Sequence, residues 1–400
     1  MSQKHTNQSF IEKSSQYLMN TYARFPVVLE KGEGCWVWDV EGKKYLDLVA
    51  GVAVNVLGYS HPEITKVVQE QISKLAHTSN LYHTVPGIEL AEFLVQSSFA
   101  DRVFYCNSGA EANEGAVKLV RKYFKKKNQP EKYEVITMLN SFHGRTLGMI
   151  SATGQEKVKK GFDPLMPGFK HVPYNDFAAL EKSISPQTAA VMLELVQGEG
   201  GVQFVELDYL KKVRALCDQL GILLVFDEIQ TGMGRTGTLF AYEHSGITPD
   251  VLTMAKALAG GLPIGAILAK QEVAQAFEPG DHAATFGGNP FVTRVAKRVI
   301  EILKNGLLKK SNNVGEYFKS NLLKLKDKYP IILEVRGQGM MLGMTLAVPG
   351  KEIVLKGLDK GLLLNCTQEK VIRFVPPLIL SEEEVDFAIQ KLDEIFSELS

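Results

Sequence analysis

Residues 221–230 read GILLVFDEIQ, an unbroken apolar run that ends on an acidic pair. Such a run has no polar face to offer water, so it reads as a strand buried on both sides in a parallel sheet. VFYCNS at 103–108, which leads into a helical pattern from Glu111, and AAVMLELV at 189–196 have the same character. Strands alternating with helical patterns predict an α/β fold: a mostly parallel sheet in a large three-layer domain. The tail reads differently. After Asn289-Pro290 a long helical stretch runs to about Lys328, VRGQGMMLGMTLAV and VIRFVPPLIL read as short strands, and an amphipathic helix covers 381–399. WVWDVEGKKYLDL at 36–48 predicts a hairpin turning at Glu41-Gly42. The expected organisation is a large domain over 59–289 and a smaller α+β domain built from both chain ends, 1–58 and 290–400.

The 400 residues carry 45 acidic and 45 basic side chains, with 45% hydrophobic content. That supports a substantial core and gives no general attraction to nucleic acid or an anionic membrane. The polar opening MSQKHTNQSF does not read as a signal or transit peptide. The longest apolar candidate, Ala257 to Ala269, is too short to span a bilayer and is interrupted by Gly260, Gly261, Pro263 and Gly265. Cys35, Cys106, Cys217 and Cys366 lie far apart without C-x-x-C spacing, so neither a disulfide framework nor a metal site is expected, and a reducing cytoplasm is. Lys125 to Lys127 reads as a solvated helix end.

Four constellations carry chemistry. Asn107-Ser108-Gly109-Ala110-Glu111 combines a strand end, small residues and a helix start, with Ser108 as N-cap and Glu111 completing a capping box. Free N–H groups there form a cup for phosphate, although an ordinary N-cap has the same sequence. Asp227 follows GILLVF at the mouth of the sheet; an ionised carboxylate so placed needs a cationic partner, which a protonated pyridinium nitrogen provides. A metal-binding Asp-Glu pair of the ATPase kind would require an upstream phosphate loop that this sequence lacks. Lys256, in TMAKALAGGLPIG at 253–265, stands alone among small apolar residues; desolvation favours its neutral, imine-forming amine. Lys256, Asp227 and the 108–110 cup together supply what pyridoxal phosphate needs. The fourth is SFHGRT at 141–146, where Phe142 can stack on a flat ring and Arg145 can grip a carboxylate. Arg373, flanked by apolar strand residues in VIRFVPP, needs a carboxylate partner from protein or substrate. His143 has no second ligand nearby and reads as structural.

Gly232-Met-Gly234-Arg-Thr-Gly237 matches G-x-G-x-x-G. A dinucleotide fingerprint comes straight off its strand and opens a helix. Here five residues intervene after Phe226 and TLFAYEHSGITPD continues as loop, which argues against a nicotinamide site.

The ordered set SGAEANE, NSFHGRT, QGEGG, FDEIQTGMGRTG, AKALAGGLPIGA, HAATFGGNP and VIRFVPP resembles the subgroup-III, ornithine-type aminotransferases of fold type I, from about Tyr22 to Pro377. The resemblance implies a pyridoxal 5′-phosphate enzyme with Lys256 holding the cofactor as an imine and Asp227 paired with its ring nitrogen. By the same resemblance Ser108, Gly109 and Ala110 bind phosphate, Phe142 stacks on the ring, Gln230 approaches the phenolic oxygen, and Glu228 and Ile229 belong to the cofactor-binding run. Thr285 completes the phosphate cup from the partner subunit of a homodimer. Arg145 takes the remote carboxylate of the substrate, Arg373 the α-carboxylate of glutamate or 2-oxoglutarate, and Glu199 masks Arg373 when the other substrate is bound. Two positions depart from the family pattern: Leu195 where a proline is frequent, and Ala284, at the substrate-binding turn before Thr285, where a hydroxyl residue is common. The expected reaction moves the δ-amine of N-acetylornithine to 2-oxoglutarate. Succinyl-diaminopimelate, succinylornithine, ornithine and 4-aminobutyrate are the rival donors, and a cofactor-binding regulator without turnover is the reading from another class.

Overall fold

A computed structural model describes residues 6–399; Met1–His5 and Ser400, which the expected small domain includes, lie outside the described residues. The central element is a seven-stranded sheet: β1 (Arg102–Cys106), β2 (Glu134–Met138), β3 (Phe169–Val172), β4 (Thr188–Leu193), β5 (Leu223–Asp227), β6 (Val251–Met254) and β7 (Gly265–Ala269). Their spatial order is β1-β7-β6-β5-β4-β2-β3. Every neighbouring pair is parallel except the two made by β7.

The apolar runs without alternation are explained by the core. Leu224 and Phe226 of β5 join one hydrophobic cluster with Leu210, Val213 and Cys217 of helix Leu207–Leu220. Leu223 and Val225 join another with Ala116, Val120 and Phe124 of helix Gly109–Lys126. Successive strand residues thus enter opposite helix layers, and the strands β4, β5, β6 and β7 are buried on both faces.

The chain ends meet. Strands Trp36–Asp39 and Lys44–Asp47 form the expected hairpin, and Leu362–Leu363 pairs in parallel with the second of them. Strands Ile332–Gln338, Met341–Leu346, Asn365–Thr367 and Val371–Phe374 form a separate antiparallel sheet. The closing helix is Glu382–Ser397, with Ser381 and Glu384 in a reciprocal capping box.

Two stretches are more broken than their patterns suggested. The helical run after Pro290 divides into Pro290–Ile302 and Leu308–Lys328, because the intervening turn is widened at Asn305 and Gly306, where Gly306 has φ +104°. The 189–196 run ends as a strand at Leu193, and Val196–Gln197 pairs separately with Gln203–Phe204. Residues 232–237 form tight turns with Gly234 at φ +85° and Gly237 at φ +107°, and no α-helix follows directly. Among the described residues no helix is long and apolar enough to cross a membrane.

Candidate active site

Parallel pairing of β5 with β6 sets Asp227 opposite Thr253, so Asp227 and Lys256, three residues further on, emerge at the same edge of the sheet. β1 ends at that edge too, at Cys106, and helix Gly109–Lys126 begins immediately after it. These strand ends, with the 142–145 loop, enclose a cavity of about 400 Å³ lined by Ser108, Gly109, Ala110, Phe142, Asp227 and Lys256, among others. Ligands of open α/β sheets sit at this place.

Lys256 has φ +32°, a left-handed backbone that a side chain rarely adopts. It opens a single helical turn closed by Gly260 in the left-handed conformation. Burial pushes its ammonium down to about 8. The neutral amine is thereby accessible near neutral pH.

Asp227 is held from three sides. Its Oδ2 accepts from Asn113 Nδ2 at 2.7 Å and lies 2.8 Å from His143 Nδ1, and its Oδ1 accepts from the Ile229 N–H at 3.0 Å. Thr253 Oγ1 in turn donates to Asn113 Oδ1 at 2.7 Å, fixing which way the amide faces. A carboxylate only accepts, so His143 presents its proton on Nδ1. His143 and Asn113 are fully enclosed, and neither was singled out by its sequence surroundings as a functional residue.

At the helix start, Ser108 Oγ accepts the Glu111 N–H at 3.2 Å. The return bond lands one residue earlier than in the expected capping box: Glu111 Oε2 accepts from the N–H of Asn107, at 2.7 Å, and from its side-chain amide. The box is shifted because the Asn107 side chain offers Glu111 a second donor beside its backbone. Any larger residue at 109 would have to displace the Ile229 side chain. A Cβ there would come within 2.8 Å of Ile229 Cδ1.

Arg373 is 1% exposed and Glu199 31% exposed, with Arg373 Nη1 2.7 Å from Glu199 Oε1. Arg373 also donates to Asn365 Oδ1 at 2.7 Å and to Gln230 Oε1 at 3.2 Å. Burial raises the Glu199 carboxyl, but the charges of Arg373 above all, with Lys256 and Lys157, together hold it below the usual range. Arg145 is exposed at the cleft, its guanidinium 5.5 Å from the centre of the Phe142 ring.

Arg373 and Glu199 do not line this cavity themselves, Arg373 reaching it through its bond to Gln230, and three further expected site residues stand elsewhere. Glu228 turns away from the cavity, because both its oxygens are taken by backbone N–H groups, of Ala241 and Tyr242, each at 2.7 Å. Thr285 is exposed and Ala284 half-buried, and neither lines this chain's cavity. Glu194, by contrast, does line it: its carboxyl accepts the Phe142 N–H at 3.2 Å, and burial, aided by the charge of Asp227, pushes it well above the usual carboxylate range. The signal was available, since Glu194 closes the apolar run AAVML as Asp227 closes GILLVF.

The class-III aminotransferase pattern matches residues 17–396. The chain belongs to the class-III aminotransferases. It is 50% identical over 396 residues to the acetylornithine aminotransferase of Methanocaldococcus jannaschii, covering 98% of this chain and 99% of that one. It superposes on the N-acetylornithine aminotransferase of Stenotrophomonas maltophilia K279a with TM-score 0.84 and 39% identity, covering 97% and 99% of the two chains. Against an ornithine aminotransferase from Toxoplasma gondii, whose structure shows partial occupancy of pyridoxal phosphate at its active site, the TM-score is 0.95 at 34% identity, over 99% and 95% of the chains. As a class-III aminotransferase the protein is a pyridoxal-phosphate-dependent transaminase. The cavity fits that cofactor: it offers a helix start lined by small residues, an aromatic wall, an oriented carboxylate and a desolvated amine.

Proposed function

We propose that this aminotransferase moves the δ-amino group of N-acetylornithine to 2-oxoglutarate, giving N-acetylglutamate 5-semialdehyde and glutamate, a step of arginine biosynthesis. The observation that carries the two-substrate reading is the Arg373–Glu199 pair, in which the arginine is enclosed and doubly anchored while the carboxylate keeps a side to solvent. One site must accept a terminal amine first and an α-amino acid afterwards. With the amine donor bound, Glu199 neutralises Arg373, which would otherwise be a costly unpaired buried charge. With glutamate or 2-oxoglutarate bound, Glu199 withdraws and Arg373 grips the α-carboxylate. Arg145 holds the carboxylate at the other end of either substrate.

Ser108, Gly109 and Ala110 hold the cofactor's phosphate, Phe142 covers its ring, Ile229 and Gln230 border it, and Asp227 keeps a proton at its ring nitrogen. Bound there, pyridoxal phosphate supplies the electron sink that makes the substrate's amine-bearing carbon acidic. Lys256 Nζ, its basicity lowered by burial, takes the proton from that carbon. Asn113 and His143 keep Asp227 pointed while this happens.

The working unit is a homodimer. Leu81, Tyr82, Val85, Ile88 and Phe286 are all exposed. Asn80 ties their two segments together by donating to the carbonyls of Ala284 and Gly287, at 3.0 and 2.9 Å. An apolar patch of this kind is suited to a second copy. Thr285 stands in it, outside its own chain's cavity, where it can complete a partner's phosphate cup. Four free cysteines suit a cytoplasmic location.

Initial rates with N-acetylornithine, ornithine, succinyl-diaminopimelate and 4-aminobutyrate, each against 2-oxoglutarate, test the donor assignment. The expected order places N-acetylornithine first in kcat/KM. A higher value for any of the others overturns the assignment and leaves the transaminase chemistry intact.

A further inference from the structure

When Arg373 takes a substrate carboxylate, the Glu199 carboxylate loses its partner, and a partly enclosed carboxylate without a partner is costly. Arg373 cannot follow it, being fixed by Asn365 and Gln230. The Glu199 backbone is fixed as well, since its carbonyl accepts from Gln368 Nε2 at 2.8 Å. Only the side chain is left to move.

Its open side faces a second cavity, of about 710 Å³, separate from the cofactor cavity. Glu199 shares that lining with three cations, Arg24, Lys157 and Lys351, and with one further acid, Glu369. Among the described residues none of the three cations is in an ion pair with the protein's own carboxylates. The acid next to Lys157 in sequence is already engaged: Glu156 pairs with Lys159 at 2.8 Å. Arg24 is engaged differently, lying over the Tyr22 ring with 5.2 Å to its centre.

We propose that Lys157 is the second seat of the switch: its ammonium receives the Glu199 carboxylate when a dicarboxylate displaces it from Arg373, which makes Lys157 a determinant of dicarboxylate binding. Of the three cations, Lys157 already acts on Glu199 in the closed arrangement. Burial raises that carboxyl, and the opposing charges are Arg373 first, then Lys256 and Lys157. Lys157 also sits in the turn Glu156–Val158, which closes the segment that begins with Phe142 and Arg145. Lys157 is a positioning residue here; it acts through Glu199 and touches no reacting atom.

This inference rests on the Arg373–Glu199 switch, and its test separates the two. Glutarate has two carboxylates and neither an amine nor a keto group to react, so its affinity for the holoenzyme can be measured by titration calorimetry without turnover. Five proteins are compared: wild type, Lys157→Met, Glu199→Gln, the double variant Lys157→Met/Glu199→Gln, and Lys157→Arg. Glu199→Gln should tighten glutarate, because nothing ionic then competes for Arg373. Lys157→Met should weaken it about tenfold in the wild-type background and by less than about twofold in the Glu199→Gln background. Lys157→Arg should restore the affinity. Equal weakening in both backgrounds would mean that Lys157 binds the ligand itself and would overturn the proposal, as would no weakening in either. An unaltered affinity in Glu199→Gln would instead sink the switch, whatever Lys157 does.

Discussion

His143 Nδ1 lies 2.8 Å from Asp227 Oδ2 at the buried edge of the central sheet, and the same oxygen accepts from Asn113. Two donors on one oxygen, with the Ile229 N–H on the other, leave the carboxylate no freedom to turn. A carboxylate that holds a proton on a ring nitrogen needs that fixed orientation.

Truncating either donor should therefore weaken turnover while the cofactor remains bound. A hydrogen bond to a buried charge contributes about 1.5–3 kcal/mol. His143→Ala and Asn113→Ala should each lower kcat by roughly ten- to a hundredfold if that stabilisation is expressed in the transition state. Measurement of kcat at matched cofactor content, together with the pH dependence of the bound cofactor's absorbance, checks this. Unchanged kcat in both variants would show that Asp227 needs no support.

The Lys256 ammonium gives the cofactor-free enzyme a pH signature. Burial lowers it from 10.5 to about 8. Below about 8 the amine is protonated in folded and unfolded chains alike, and the folded state bears the whole desolvation cost. Between about 8 and 10.5 the unfolded chain holds the extra proton, so stability rises with pH and the cost fades. The Lys256→Met apoenzyme should therefore be more stable than wild type at pH 7, by on the order of 3 kcal/mol, with the difference shrinking toward pH 10.5. Denaturant titrations of both apoproteins across that range would show it; a gap that widens with pH would contradict it.

Removing the mask on Arg373 should shift preference between the two substrates. Glu199→Ala should raise kcat/KM for glutamate relative to N-acetylornithine, by about tenfold if the lost ion pair counts for about 1.4 kcal/mol. Single-turnover rates with each amino donor measure the ratio directly. An unaltered ratio would remove the gate.

Thr285 stands outside its own cavity, which makes its contribution testable by mixing subunits. In a hybrid of Lys256→Ala and Thr285→Ala chains, one site combines an intact Lys256 with an intact Thr285 from the other chain. Such hybrids should recover close to half the wild-type activity, above either parent. Hybrids no better than the Thr285→Ala homodimer would place Thr285 outside the neighbour's site.

The strands and the Lys256, Asp227 and Ser108 positions were legible because each is a local event. An apolar run marks a doubly buried strand, and the polar residue that ends it marks the sheet's mouth. What could not be read locally were the contacts that join distant segments. Asn113 lies on a helix and His143 in a loop, 114 and 84 residues from the carboxylate they support, and only the packed sheet brings them to it. Glu228 misled for a related reason. Its neighbour Asp227 faces the cavity, but strand alternation sends the next side chain elsewhere, to the N–H groups of Ala241 and Tyr242. The Asn305-Gly306 break was visible as a sequence but was outweighed by the helical periodicity on either side.

The most direct test of the account is to reduce the holoenzyme with borohydride, which fixes an imine-linked cofactor covalently, and to map the labelled peptide by mass spectrometry. A single pyridoxyl group on Lys256 is expected, and none in a Lys256→Ala protein that has also lost its visible absorbance. A label on another lysine, or full turnover by Lys256→Ala, would contradict it.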